Sequence, residues 1–452
     1  MKRWRAAFLL ALLGALPILF AWNRSADLLK DSDTEVTLTA IRAAHDPLRW
    51  VRGDWPLANG FYRPVPSLVF EADNALWRND AAGYGLTNAL LCFACVLLLF
   101  WALREIADRP LVATAGAALF AYWHNAFALP LAEIVGLVAW ATLLVGAWRH
   151  RKAWKAYVPA FLTLLALSYE STGVETLRGR TLDWIPGRTA TTMTVFALLA
   201  IAAYARFERL RRTPLAPPEP TPETPPATRN SEAGRARGAA WPWAVVAVLA
   251  TALALASYEQ AVMLPAVLLV VAFAFRLGGA RPLWTLHGAF WSLLVGYVAL
   301  RWAVLPHVES RYQHQQLRYS SAVFWAEASY AFPPLRELWG LSAAFGSGLL
   351  ILLTGEIYAT FGRMVVGVVG FVQARREPAL ALAGWLGSSL AFLPMAWVKP
   401  FEHYHYWPMA MRAAFVVAMG LVAFRLAATA WCPPARPAPP RPRPAPGSLP
   451  RP

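Results

Sequence analysis

Two aspartates, Asp31 and Asp33, stand about ten residues after an apolar run over residues 6–22. A carboxylate held near a membrane surface can act as a general base on an acceptor hydroxyl. The same spacing suits a solvated pair at the start of a helix, with Asp33 as the N-cap. Both interpretations place the pair at the beginning of a long loop over residues 23–85, outside the membrane.

An arginine lies later in the same loop, in the segment Tyr62-Arg63-Pro64. The planar guanidinium group of an arginine can bind two phosphate oxygens at once, which suits the phosphate of a lipid. The alternative is an interfacial arginine that contacts any headgroup. The loop therefore combines a candidate base with a candidate phosphate ligand.

A second polar segment, near the C-terminal end of the chain, is rich in aromatic and titratable residues. Glu402, His403 and His405 of this segment could bind a metal, although two imidazoles at i and i+2 with one acid form a weak ligand set. An aromatic belt with interfacial histidines explains the same residues. We therefore assign no metal-binding residues here. A divalent cation remains open as a cofactor of the protein.

Two further patterns have simple structural interpretations. The tripeptide Ser-Tyr-Glu occurs at 168–170 and at 257–259, each time after an apolar run, which suggests an internal repeat. Cys92 and Cys95 form a C-x-x-C pattern inside an apolar helix, where one face of a buried helix is expected rather than a redox or zinc site. Three cysteines in all cannot form a disulfide framework.

The elements that position these residues are membrane helices. Of the 452 residues, 58% are hydrophobic and 15% are charged, against about 25% charged in a soluble domain. This composition excludes a soluble globular enzyme and a disordered protein. Because a spanning helix needs about 20 apolar residues, the apolar runs predict an all-α integral membrane protein with about 11–13 spans. The exact number is open around residues 338–373.

The basic residues indicate how the chain crosses the membrane. Lys2, Arg3 and Arg5 precede the first apolar run, which predicts a cytoplasmic N-terminus, and alternation of the spans then predicts a cytoplasmic C-terminus. The formal charge of +16 is therefore mostly a topology signal. It does not indicate a nucleic-acid partner.

The chain divides into four predicted parts. Residues 1–206 form an N-terminal membrane half with the outer loop, and residues 241–430 form a C-terminal membrane half. A Pro/Arg-rich cytoplasmic linker over 207–240 separates them, and a disordered Pro/Arg-rich tail covers 431–452. Within the loop, apolar residues at helical spacing predict juxtamembrane helices over 37–50 and 66–77.

In their order along the chain, these motifs resemble the bacterial relatives of the transmembrane, TPR-containing O-mannosyltransferases, which have the wider GT-C glycosyltransferase fold. The resemblance covers roughly residues 6–425, and no TPR repeats follow it. The motifs that carry it are Tyr62-Arg63-Pro64, F-x-x-D-x-A-L-W over 70–77, G-Y-x-L-T-N over 83–88, Ser257-Tyr258-Glu259 through Pro265, and E-H-Y-x-Y-x-P over 402–408.

The resemblance implies a GT-C-like helix bundle in the bacterial inner membrane. It also implies an inverting transfer of a sugar from a polyprenyl-phosphate donor to a protein, glycan or lipid acceptor on the non-cytoplasmic face. Asp31 and Asp33 are the matching positions for the base, and Arg63 and His403 for the donor phosphate. The supporting positions are Tyr62, Asp73, Asn88, Glu259, Glu402 and Tyr404.

The sequence departs from the family pattern at four positions. A lysine of the family is Tyr258 here, an arginine is His403, and two histidines are Gly85 and Cys92. These losses keep an inactive GT-C-like membrane scaffold open as an alternative function. A transporter of a lipid-linked substrate is a second alternative. Transport is disfavoured because nearly all charges lie at predicted helix ends, whereas transporters keep ionisable groups near the middle of the bilayer.

Overall fold

The structure is a computed structural model. It describes residues 2–44, 46–124, 148, 177–212, 226–276, 282–307, 310, 313, 378–398 and 401–431. The predicted spans over 131–147, 156–169 and 338–354 lie outside the described residues. So do the short apolar stretch over 364–372, the first Ser-Tyr-Glu tripeptide and the tail after residue 431.

The described residues form helices and contain no β-strand. Short 3₁₀ turns cover Ala26–Leu29, Ile185–Gly187, Glu259–Met263, Leu393–Trp397 and Glu402–His405. The α-helices among the described residues, numbered in chain order, are α1 (Lys2–Phe20), α2 (Ser32–Ala44), α3 (Arg49–Arg52), α4 (Pro64–Trp77), α5 (Ala81–Ala107), α6 (Pro110–Tyr122), α7 (Arg188–Arg212), α8 (Pro226–Leu255), α9 (Leu264–Arg276), α10 (Trp284–Val304), α11 (Pro378–Phe392) and α12 (Tyr406–Trp431).

Helices long and apolar enough to cross a membrane are present, as the composition predicts. Among the described residues there are four, at Arg3–Phe20, Ala81–Ala107, Ile185–Arg212 and Gly238–Leu255, and two shorter apolar helices, at Pro110–Tyr122 and Glu259–Phe275. The described residues are therefore all-helical and compatible with a helical membrane protein. The count of 11–13 spans and the GT-C arrangement stay predictions.

The helices of the bundle share two ends. At the loop end, Gly85 near the start of α5 lies against the carbonyl group of Asn23, just after α1. We call the opposite end the arginine end. There, Arg104 belongs to the last turn of α5, 4 residues before the C-cap Asp108, and its guanidinium carbon lies 5.1 Å from the ring centroid of Trp4 in α1. α1 and α5 therefore run antiparallel.

The arginine end buries carboxylates among cationic side chains. Glu208 of α7 is fully buried and accepts hydrogen bonds from Arg211 Nη2 at 2.7 Å and Arg212 Nη2 at 2.9 Å. Glu105 of α5 is also buried, and Arg206 Nη1 of α7 lies 3.5 Å from its Oε2 atom. These partners offset the cost of removing each carboxylate from water.

The first loop folds into helices, as its apolar pattern predicts. α2 begins at Ser32, earlier than the predicted 37, and buries Thr37, Leu38 and Ile41 on one face. α4 covers Pro64–Trp77, close to the predicted 66–77, and Pro64 occupies the first turn, where a missing N–H costs nothing. With Trp50, Phe70 and others, these faces form a small hydrophobic core apart from the main bundle.

Part of the predicted linker is helical. Within the predicted linker over 207–240, α7 continues to Arg212 and α8 begins at Pro226. Residues 213–225 lie outside the described residues. α7 and α8 pack against each other, and α5 packs against α7. In the described part of the chain, the two membrane halves therefore share one contact surface.

Candidate functional site

Asp31 caps the first loop helix. Its Oδ1 atom accepts hydrogen bonds from the backbone N–H of Asp33 at 3.0 Å and of Thr34 at 3.3 Å. The same oxygen accepts a bond from Trp184 Nε1 at 3.1 Å. Asp31, rather than Asp33, is therefore the N-cap of α2, because the helix starts at Ser32, two residues earlier than an N-cap at Asp33 requires.

Asp33 leaves its carboxylate available. The residue is exposed, and its side chain makes no hydrogen bond to any residue that the structure describes. Partial burial raises the pKa of Asp33, the nearby charge of Asp31 raises it further, and the positive charge of Arg180 opposes both. A carboxylate with a raised pKa and a free oxygen is the better general base of the pair.

Arg63 is paired and enclosed. Its Nε and Nη2 atoms donate to Glu259 Oε2 at 2.9 Å and 2.6 Å, and only 10% of its side chain is exposed. Burial alone would lower the pKa of Arg63, but Glu259 and Tyr258 hold that pKa above its usual value. Its guanidinium carbon lies 4.2–4.7 Å from the ring centroids of Trp55, Phe61 and Tyr258.

Ring contacts join the separate segments into one site. The ring of His403 lies 5.3 Å from that of Trp184 and 6.3 Å from that of Tyr258, measured between centroids. Trp184 is bonded to Asp31, and Tyr258 lies over Arg63. We call this continuous set of residues the outer cluster: Asp31, Asp33, Arg63, Arg180, Trp184, Tyr258, Glu259 and His403.

His403 is a neutral member of the outer cluster. It is buried, and burial followed by the charges of Arg63, Arg180 and His405 lowers the pKa of His403 to about 3. At neutral pH its imidazole therefore exchanges hydrogen bonds but offers no positive charge to a phosphate. A role for His403 in binding the donor phosphate would have to use a neutral ring.

Around Arg63 lie buried polar atoms that have no hydrogen-bond partner among the described residues. They are Glu259 Oε1, His403 Nδ1 and Tyr297 Oη, whose ring lies 6.2 Å from that of Tyr62. Buried polar atoms are nearly always satisfied in native proteins, by protein, water or ligand. These three atoms therefore favour a polar ligand at the outer cluster.

The other predicted supporting residues line or brace the cluster. Tyr62 donates from Oη to the Val51 carbonyl at 3.0 Å, which fixes the chain just before Arg63. The Tyr404 carbonyl accepts a bond from Gln260 Nε2 at 2.8 Å and so ties residues 401–406 to the turn that carries Glu259. Glu402 is exposed.

Asp73 and Asn88 belong to a different group. Both bind Arg188 at the start of α7: Asp73 through an ion pair, and Asn88 Oδ1 through bonds from Nε at 3.2 Å and Nη2 at 3.0 Å. Arg188 is fully buried, and Thr87 donates to Asp73 at 2.8 Å. This satisfied network braces α4, α5 and α7. It also touches the outer cluster, because Asn88 Nδ2 donates to the Trp184 carbonyl at 3.3 Å.

Sequence reasoning missed Arg188 and Arg180. An arginine in the first turn of a helix opposes the helix dipole, so the position of Arg188 was a signal that a carboxylate had to lie nearby. Arg180 gave no such signal, because it lies in a turn between segments. Its guanidinium carbon lies 5.0 Å from the ring centroid of Trp184.

Two departures from the family pattern have structural consequences. A Cβ atom at residue 85 would clash with the Asn23 carbonyl oxygen, so a histidine does not fit in place of Gly85. Cys92 lies on α5, and its side chain is buried in the hydrophobic core. Among the residues that the structure describes, no group of three His, Cys, Asp or Glu side chains is placed to hold a metal ion.

No match to the chain is found among protein-family models, curated proteins or solved structures. What the site does must therefore be argued from its own geometry.

Proposed function

We propose that the protein is a membrane glycosyltransferase that moves a sugar from a polyprenyl-phosphate donor to a hydroxyl acceptor on the non-cytoplasmic face. The observation that carries this proposal is the outer cluster itself. Residues from the first loop, the turn before α7 and the segment over 401–406 meet at one site, although they are far apart in sequence. Two of these segments, the first loop and the segment over 401–406, carry motifs that resemble the GT-C family.

Asp33 is the base in this proposal, and Asp31 positions it. Asp33 accepts the proton of the acceptor hydroxyl while that oxygen attacks the anomeric carbon of the sugar. The bond between this carbon and the phosphate oxygen breaks, and its electron pair leaves with the lipid phosphate. Attack opposite the leaving group inverts the anomeric configuration.

The polar atoms without partners support a sugar as the transferred group. Glu259 Oε1 accepts hydrogen bonds, Tyr297 Oη can donate or accept, and the neutral ring of His403 can exchange one at Nδ1. Sugar hydroxyl groups supply both donors and acceptors. The rings of Trp184 and Tyr258 offer apolar faces beside these atoms, a combination that suits a small polar ligand.

The first experiment compares Asp33→Asn with Glu35→Gln. Membranes containing the full chain are incubated with radiolabelled polyprenyl-phosphate sugars, and release of polyprenyl phosphate is followed. We expect Asp33→Asn to lower turnover by about 10²–10⁴-fold, the usual contribution of a general base. Glu35→Gln removes the same charge from an exposed position of the same helix and should keep wild-type turnover.

Other outcomes would favour the other functions. Equal turnover in Asp33→Asn and wild type would refute the assignment of the base. No release with any sugar, from a protein that stays folded in detergent, would favour the inactive scaffold. Uptake of a lipid-linked substrate into proteoliposomes, without release of phosphate, would favour the transporter.

A further inference from the structure

Arg180 is the cation of the outer cluster that has no acidic partner among the described residues. It is half-buried, and its one described close contact is the stacking on Trp184, 5.0 Å from guanidinium carbon to ring centroid. Its positive charge favours a lower pKa of Asp33, against the burial that raises this pKa, and it helps to lower the pKa of His403. Arg180 therefore interacts electrostatically with both residues. A cation at this place is free to bind an anion.

Three other arginines of the loop end are already engaged. Arg63 donates two hydrogen bonds to Glu259 Oε2 beneath three aromatic rings. Arg178 Nε donates to Asp183 Oδ2 at 3.0 Å, and Arg188 is paired with Asp73. A new anion would have to break one of these pairs, whereas Arg180 has no ion pair to break among the residues that the structure describes.

The backbone around Arg180 is held in place. The N–H of Leu177 bonds to the Trp123 carbonyl at 2.9 Å, which fixes the start of the turn to the end of α6. At the other end, Gly187 lies so close to the Arg180 carbonyl that any larger residue would clash with it. A preorganised arginine loses little conformational freedom when it binds an oxyanion.

Nearby carboxylates do not cancel the charge of Arg180. Asp31 directs one oxygen into the cap of α2 and to Trp184. Asp33 and Glu402 are exposed, and neither forms an ion pair with Arg180 within the described residues. Water screens their charges more strongly than it screens a half-buried contact.

We infer that Arg180 is the residue that binds the phosphate group of a lipid-linked ligand at the outer cluster, and that Arg63 is a positioning residue. This inference rests on the proposed function, in which the leaving group is a lipid phosphate. The family motif indicates Arg63 as the phosphate contact. This inference assigns that contact to Arg180, which does not belong to the motif. Trp184 then links the phosphate site to Asp31, and so to the helix that carries the base.

The test measures binding rather than turnover. Full-length protein in detergent is titrated with a radiolabelled short-chain isoprenyl phosphate, and the corresponding isoprenol, which lacks the phosphate, is the ligand control. We expect Arg180→Gln to raise the dissociation constant about tenfold or more, the value of a lost charge-assisted hydrogen bond. Arg180→Lys should restore part of the affinity, because it keeps the charge but not the planar fork.

Arg24→Gln is the matched control. Arg24 is an exposed arginine after α1 that also lies over a tryptophan, 4.6 Å from the ring centroid of Trp22. Equal affinities of wild type and Arg180→Gln for isoprenyl phosphate would overturn the inference, as would an equal loss in Arg24→Gln. Binding of isoprenol as tight as that of the phosphate would overturn it too.

Three further results separate this inference from the proposed function. Weak binding in Arg180→Gln together with no sugar transfer by wild type would support the phosphate site and count against the transferase. Competition by vesicles of phosphatidylglycerol as strong as by isoprenyl phosphate would support the site and identify a membrane headgroup as its ligand. Competition by the isoprenyl compound alone would support a polyprenyl donor.

Discussion

At the scale of single residues, the outer cluster separates groups that look equivalent in the sequence. Asp31 and Asp33 are two residues apart, yet one caps a helix and the other keeps a free carboxylate. Arg63 and Arg180 are both cations near the loop end, yet within the described part of the chain only Arg63 is paired with an acid. Chemical roles here follow from the partners of a residue and not from its type.

The neutral state of His403 makes a prediction about stability and pH. The pKa of His403 is about 3 in the folded protein against 6.5 for an ordinary histidine. The unfolded chain therefore binds a proton first as the pH falls below 6.5, so stability is lost between pH 6.5 and 3. Each pH unit in that window removes at most about 1.4 kcal/mol.

Thermal unfolding in detergent between pH 7.5 and 5 checks this expectation. His403→Asn should lose less stability on acidification than wild type, because it lacks the group that takes up the proton. His307→Asn, which replaces an exposed histidine, should behave as wild type. Parallel curves for wild type and His403→Asn would show that His403 does not titrate in this way.

At the scale of elements, the site depends on close approaches between backbone segments. Gly85 lets α5 lie directly against the segment after α1, and this segment leads into the turn and helix that hold Asp31 and Asp33. The hydrogen bond from the Val65 N–H to the Ala256 carbonyl, at 3.2 Å, ties α4 to the end of α8 in the same way. These approaches bring the parts of the outer cluster within reach of one another.

Gly85→Ala should therefore destabilise the protein. The added methyl group meets the Asn23 carbonyl, and the shift that it forces should cost about 1–3 kcal/mol. Gly288→Ala is the control, because no heavy atom lies within 4 Å of its Cβ position in α10. There a helix-favouring residue should leave stability unchanged or raise it by up to about 1 kcal/mol. A lower midpoint of thermal unfolding in Gly288→Ala than in Gly85→Ala would contradict the packing argument.

Local features of the sequence were enough to predict the helices but not their contacts. The amphipathic spacing around Leu38 and Ile41 predicted α2, and Asp31 shifted its start because it offers an earlier cap. The pairing of Arg63 with Glu259 joins positions 196 residues apart, which no periodicity can show. The motif order brought Asp31, Arg63 and His403 together as candidates. It did not reveal that His403 is neutral or that Asp73 pairs with Arg188.

At the scale of the whole molecule, charge separates into two layers. At the loop end, each buried arginine has its own acid, as in the pair of Arg63 and Glu259. At the arginine end, Glu105 and Glu208 each face more than one arginine, and the layer is net positive. Excess basic charge favours the cytoplasmic side, so this asymmetry predicts that the loop end faces away from the cytoplasm.

Cysteine labelling tests this orientation. In a chain with Cys432→Ser, we expect Glu35→Cys to react with a membrane-impermeant maleimide in intact cells. Gly238→Cys lies at the arginine end of α8 at an exposed position and should react only after the membrane is permeabilised. Cys92 and Cys95 are buried and should stay silent. Labelling of both introduced cysteines from the same side would rule out the predicted topology.

The pair of Arg188 and Asp73 has a consequence for how the chain is made. Arg188 begins α7 at the loop end, so in the predicted orientation this cation has to leave the cytoplasm against the usual bias. Asp73 is translated more than a hundred residues earlier. In that orientation, its carboxylate is therefore on the far side before α7 is made, and the order of translation gives the exported cation a counter-ion on arrival.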